Sequence, residues 1–294
     1  MYINHNQMAT SVANTLTKHY GNLATSTQRL SSGLRVNSAA DDAAGLAIRE
    51  LMRADISALN QGVRNANDAI SLIQTADGAL GVIDEKLIRM KELAEQSATG
   101  TYDSTQRLMI ESEYQAMASE ITRIANATDF NGLHLLNGNL SSDTHDGSLL
   151  ASTGKLKVHF GSGNDSAEDY YYIQIGTATA SALGLGNASV NDAGYSISTQ
   201  QAAQQALVAI NDAIISKDKI RANLGAMQNR LENTISNLTI QAENLQAAES
   251  RISDVDVAFE MTQFVRNQIL TQASVAMLSQ ANSFPRMALQ LIGG

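Results

Sequence analysis

The sequence predicts a mainly α protein: a long coiled-coil-like helical rod, a small β-hairpin region, and N- and C-terminal helices that pair. Three observations carry this reading. Leu224, Leu231, Leu238, Leu245 and Ile252 fall on one strict seven-residue beat, the mark of long helices packing along a seam. The beat carries back through Lys217, Ile210 and Ala203, giving one helix of ~50 residues, on the order of 75 Å at 1.5 Å per residue. Pro285 is the only proline, and low Pro suits long helices because Pro removes a helical donor and clashes with the preceding turn. Ten of the twenty glycines lie between Gly132 and Gly194, so the order is helical flank, Gly-rich centre, helical flank.

The first flank opens with Met8, Val12, Leu16, Tyr20, Leu23, Thr27 and Leu30, an amphipathic stripe stepping by threes and fours. Ser31-Ser32-Gly33 breaks it. A second helix carries Met52, Ile56, Leu59, Val63, Ala66, Ile70 and Ile73, and continues through Leu80, Ile83, Leu87, Met90 and Ala94. Gly100 is its stop, and Asp103 or Ser104 caps the next helix. That helix shows Ile110, Tyr114, Met117, Ile121 and Ile124, then meets the turn signals Asn131-Gly132 and Asn137-Gly138.

In the centre, Lys155 to Phe160 alternates polar and apolar residues, and Tyr170 to Ile175 is aromatic and branched. With the loop at Gly161 to Asp165 these read as a β-hairpin, which needs support because two strands alone are marginal in water. The last segment spaces Ala258, Met261, Val265, Ile269, Ala273 and Ala276 at helical period. Its apolar face is broad, so it needs a partner, and the first helix is the natural one.

Composition excludes several functions. A net charge of −9 without a basic cluster argues against nucleic-acid binding. No apolar run of transmembrane length exists, and the start lacks a cleavable signal peptide pattern. Zero Cys removes thiolate metal sites and disulfides. No phosphate loop, nucleophile-and-base motif or His-Glu-x-x-His sequence is present, so neither an enzyme nor a cofactor is expected. His145 between Asp143 and Asp146 offers ligand types on a Ser- and Gly-rich loop, a weak metal signal. Asp41 and Asp42 mimic a paired-carboxylate site, but acids at a helix start are better read as caps. The sequons at Asn126, Asn139, Asn187 and Asn237 match by pattern only.

Two blocks carry a resemblance. Residues 27–53, from Thr-Gln-Arg-Leu-Ser-Ser-Gly-Leu-Arg to Glu50-Leu51-Met52-Arg53, resemble the N-terminal block of bacterial flagellins. Asp129-Phe130-Asn131-Gly132 with Leu135-Leu136 is similar to the family's turn into its β region, and Asn267 to Ile292 is similar to its C-terminal block. The resemblance covers residues 1–140 and 197–292. It implies a structural subunit of the flagellar filament, self-assembling into a helical tube for swimming motility. The nearest alternative is a hook–filament junction protein, which shares the helical ends; Gln280-Ala281-Asn282 and Pro285 favour flagellin.

The resemblance also implies an organisation. Residues 1–45 with 255–294 would form an inner-tube domain. Residues 46–138 with 197–254 would form a rod domain, and 139–196 its hairpin part, a short form lacking the variable outer domains. Met8, Val12, Leu16, Leu23, Met261, Val265, Ile269 and Ala276 are the expected polymerisation residues. Implied partners are further copies of the chain, hook–filament junction proteins, the filament cap and a flagellar export chaperone. The implied place is the extracellular filament, reached through the flagellar type III apparatus. Arg89, Glu92, Leu93 and Gln96, with Glu113 on the next helix, are similar to the segment of flagellins read by Toll-like receptor 5. Ile88 departs from the polar Gln usual there. The same face is equally a candidate for lateral filament contact.

Overall fold

The structure is a computed structural model that describes residues 6–148, 153–166, 168–185 and 194–292. Five helices dominate: α1 (Gln7–Ser32), α2 (Ala43–Ala98), α3 (Ser104–Ala127), α4 (Gln200–Ser253) and α5 (Val257–Ile292). Each boundary has a local cause. The Asn6 side chain accepts from the Ala9 N–H and starts α1, and Gly33, at φ 73°, closes it in the left-handed conformation that glycine adopts without cost. Asp42 accepts from the Gly45 N–H at the start of α2. Asp103 and Gln106 form a reciprocal capping box on α3.

The described strands make three antiparallel pairs. β1 (Asp129–Phe130) meets β2 (Leu133–His134), β3 (His145–Asp146) meets β4 (Thr153–Gly154), and β5 (Leu156–His159) meets β6 (Tyr170–Ile173). Asn131 and Gly132 both have positive φ, 52° and 81°. That is the two-residue turn whose twist suits a hairpin. In the β5–β6 hairpin Lys157 faces Tyr172 and His159 faces Tyr170. One side buries Val158 and Ile173. On the other, the Lys157 ammonium sits 3.6 Å from the centre of the Tyr170 ring.

The described residues fall into two compact units, drawn from 57–242 and from 1–56 with 243–294. The first holds the main core. Leu72, Ile73, Leu80, Ile83, Leu87 and Met90 of α2 pack with Tyr114 and Ile121 of α3, with Ile210, Leu224 and Leu231 of α4, and with the hairpin. In the second unit α1 and α5 pack side by side. They run antiparallel: Asn6 Nδ2 donates to the Ala281 carbonyl at 2.9 Å, and Arg29 approaches Glu260 at the other end.

Two glycines of α2 have opposite surroundings. A Cβ on Gly62 would fall inside the Phe160 carbonyl, whereas one on Gly78 meets nothing within 4 Å. One turn from Gly62, Asn65 donates to the His159 carbonyl at 2.8 Å and fixes the hairpin there. Replacing a helical Gly by Ala gains about 1 kcal/mol from propensity. Overpacking against fixed backbone costs about 1–3 kcal/mol. Urea denaturation is therefore expected to show Gly78→Ala more stable than the parent and Gly62→Ala less stable. Equal effects would show that the hairpin yields freely.

Candidate functional site

The α1–α5 pair is the first candidate surface. On α1 a covered beat runs through Ala9, Val12, Leu16, His19, Leu23, Ser26 and Leu30 in strict 3/4 alternation, with Ala13 and Arg29 half-buried beside it. Val12, Leu16 and Leu23 lie on this beat and are half-buried, while Met8, Tyr20 and Thr27, read as part of the stripe, are exposed. On α5 the covered beat is Glu260, Phe264, Asn267, Thr271, Ser274, Leu278 and Ala281. It is mostly small or polar. Met261, Val265, Ile269 and Ala276 stand away from it, with Ile269 59% exposed. Phe259, Val275, Met277, Phe284 and Met287 are exposed as well. Among the described residues, then, the richer apolar face of α5 is left largely exposed. Such a face marks an interaction surface.

The seam of α4 behaves differently. Leu224, Leu231 and Leu238 are buried, and Leu245 and Ile252 half-buried. Ile210 and Ala203 extend the buried beat, and so does Lys217, which is 1% exposed. A buried ammonium needs partners, and Lys217 Nζ lies 2.5 Å from Asp84 Oδ1 and 2.8 Å from Asp218 Oδ1. One turn on, Arg221 donates to Asp77 at 2.7 Å. These ion pairs fix α4 against α2 at one register.

The third candidate is the face around Arg89. Arg89 Nε and one terminal nitrogen donate to Glu113 Oε1 at 2.9 and 2.8 Å, and the other donates to Glu92 Oε2 at 2.8 Å. The hydrogen bonds to Glu92, then to Glu113, raise the guanidinium pKa further above its ordinary value. All three residues are exposed. Gln96 is half-buried and donates to the Tyr102 hydroxyl at 3.0 Å. Leu93 is 1% exposed and packs in the core, so it stands behind this face. Exposed Ile88, Leu108 and Met109 add apolar area to the helices that carry it.

Comparisons with known proteins decide the family. Residues 3–141 match the bacterial flagellin N-terminal helical region, and residues 207–292 match the C-terminal helical region. The chain belongs to the bacterial flagellin family. It is 41% identical over 292 residues to a flagellar filament 33 kDa core protein of Treponema phagedenis, covering 99% of this chain and all of that one. It is 43% identical to a flagellin of Bacillus subtilis strain 168, again covering 99% of this chain and all of the relative. A solved structure assigned to a flagellar hook-associated protein of Vibrio parahaemolyticus is 17% identical, with a TM-score of 0.56 over 73% of this chain and 100% of that chain. At that identity the likeness is one of fold alone.

As a flagellin this is a short form, without the variable outer domains. Flagellins are structural filament proteins and not enzymes, and the remaining sequence candidates read accordingly. Asp41 accepts from the Ser38 and Asn37 N–H groups, which hold its carboxyl below the usual range, the Ser38 bond most of all. With Asp42 capping α2, both carboxylates serve the connector between α1 and α2. His145 Nδ1 lies 2.8 Å from the Lys155 carbonyl. Among the described residues no group of His, Cys, Asp and Glu is placed to hold a metal ion, and no helix is long and apolar enough to cross a membrane. Asn126, Asn139 and Asn237 are exposed, and Asn187 lies outside the described residues.

Sequence reasoning missed two features. The Tyr114 hydroxyl donates to the Gly194 carbonyl at 2.6 Å, Gln115 donates to the Tyr195 carbonyl, and Ser196 donates to Glu111 at 2.9 Å. This clasp ties α3 to the segment entering α4, and burial pushes the Tyr114 phenol pKa up. The second is an antiparallel bridge, Leu34 with Asp254, joining the α1–α2 and α4–α5 connectors. Arg35 N donates to the Ser253 carbonyl and Val255 N to the Gly33 carbonyl. No periodic signal marks either one.

Proposed function

We propose that this chain is a subunit of the bacterial flagellar filament, polymerising into a helical tube that serves swimming. The observation that carries this is the uncovered apolar face of α5 in a chain that belongs to the flagellin family. One partner helix covers a mostly polar beat and leaves Met261, Val265 and Ile269 exposed. Other copies are the cover that a non-closing, head-to-tail contact supplies. In this reading residues 1–45 with 255–294 form the inner tube, with Met8, Val12, Leu16 and Leu23 contributed by α1. Residues 46–138 with 197–254 form the rod, its ion-paired seam resisting slip under torque. Hook–filament junction proteins, the cap and an export chaperone are the further partners, and the type III apparatus is the route to the cell exterior. The test is seeded growth of purified chain, watched by negative-stain microscopy. Long filaments are expected; failure to extend seeds would overturn the reading.

Recognition by Toll-like receptor 5 is the second reading, supported by the exposed Arg89, Glu92 and Glu113. The internal bonds of Arg89 set its expected response. Arg89→Asp puts a third carboxylate beside Glu92 and Glu113 and removes the planar donor head that pairs them. Signalling by monomers in a receptor-reporter assay is expected to fall, with lateral assembly weakened in parallel and the melting temperature little changed. Signalling at the parent's level in the variant would exclude Arg89, and a silent parent would show that Ile88 already breaks the motif.

A further inference from the structure

We propose that the groove between α1 and α5 is a receiving site for a carboxylate side chain of a second copy of this chain. The proposal rests on the filament reading above and names what one copy gives another. The groove encloses about 570 Å³, and His19, Ser26, Arg29, Glu260, Arg266 and Asn267 are among its lining residues. Two of its buried polar atoms, Arg29 Nε and His19 Nδ1, have no hydrogen-bond partner among the described residues.

A guanidinium keeps its protons and offers five donors in a fixed fork. Leaving one buried without an acceptor is unfavourable. The nearby acid does not meet the need, because Glu260 Oε2 stands 3.8 Å from an Arg29 terminal nitrogen, beyond hydrogen-bond distance. Glu260 is itself 6% exposed and lines the groove. Arg29 and Arg266 together exceed it in charge, so the groove is locally cationic within a chain of net charge −9. Its complement is an acid, and a planar carboxylate matches the Arg fork with paired bonds. Acids are also what another copy offers in excess, with 29 Asp and Glu against 20 Lys and Arg. The flanks fit a protein partner better than a free ion. Phe259 and Leu270 give the groove apolar wall beside its polar groups. An Arg anchor next to apolar side chains is a common make-up of a strong contact between proteins.

The test uses the full chain. Arg29→Lys keeps the charge and removes the Nε–H. Its critical concentration for seeded growth is expected to rise at least fivefold, with the monomer's helical content and melting unchanged. Arg53→Lys, an exposed arginine that does not line the groove, is expected to match the parent. A rise of less than fivefold for Arg29→Lys overturns the proposal. If Arg29→Lys disturbs the monomer, filaments mixed from copies with ¹⁵N-arginine and copies with ¹³C-carboxylates decide instead. An intermolecular correlation from the assigned Arg29 Nε to a carboxylate carbon is expected, and its absence overturns the proposal. An Arg29 Nε signal that moves when inorganic phosphate is added to monomers, without that correlation in filaments, assigns the groove to a free anion and also overturns it. A parent chain that never extends seeds fails at the earlier step and removes the filament reading itself.

Discussion

Leu231→Asp is expected to abolish the cooperative fold of the unit spanning residues 57–242. Leu231 is 0% exposed and belongs to the same core as Leu80, Ile83 and Leu224. The substitution removes a buried aliphatic group, at a cost of about 2–5 kcal/mol including the void left behind. It also buries a carboxylate without a partner, adding several kcal/mol more. A domain's whole stability is about 5–15 kcal/mol, so the sum reaches the total. Leu231→Ala carries only the first cost and is expected to stay folded with a lowered melting temperature. Circular dichroism and thermal melting of the two variants separate the contributions. Native melting in Leu231→Asp would mean that the heptad beat of α4 is not a closed seam.

Deleting residues 255–294 is expected to eliminate polymerisation while leaving residues 57–242 folded. The deletion removes α5, and with it the exposed apolar face and the long helix that packs along α1. Among the described residues, the core built from α2, α3, α4 and the hairpin draws none from the deleted segment. Sedimentation should give a monomer that never extends seeds, and its main thermal transition should persist. Filaments from the truncated chain would remove α5 from the assembly mechanism. Loss of the main transition would show that the large unit depends on the small one.

The sequence made some of this legible and hid the rest for identifiable reasons. The 3.5-residue beat of Leu224, Leu231 and Leu238 was visible because a long seam repeats one residue type at one spacing. Gly33 and Asn131-Gly132 were visible because positive φ restricts which residues fit. The face of α5 that meets α1 was not. Its beat holds Glu260, Asn267 and Ser274, while the apolar residues that dominate a periodicity reading lie off it. Apolar pattern reports which side chains avoid water, not which helix covers them. Lys217 fell on the beat but its burial depends on Asp84, 133 residues earlier, and no local signal encodes that pairing. Leu93 was misplaced by a similar route. The resemblance grouped it with Arg89 and Gln96, whereas tertiary packing buries it in the core.

The bridge between the two connectors has a consequence for the order of folding. Arg35 donates to the Ile252 carbonyl across 217 residues of sequence. Closing so long a loop from the unfolded chain costs about 5 kcal/mol by the logarithmic law, before the constant term. Pairing Asp77 with Arg221 first leaves roughly a third of that length to close, about 1 kcal/mol cheaper. Arg89 and Glu113, only 24 residues apart, meet at lower cost still. Local α2–α3 contact, then α2–α4 register, then the bridge is thus the sequence of least entropic cost. On that ordering the two connectors, and the terminal helices that extend from them, are the last to meet.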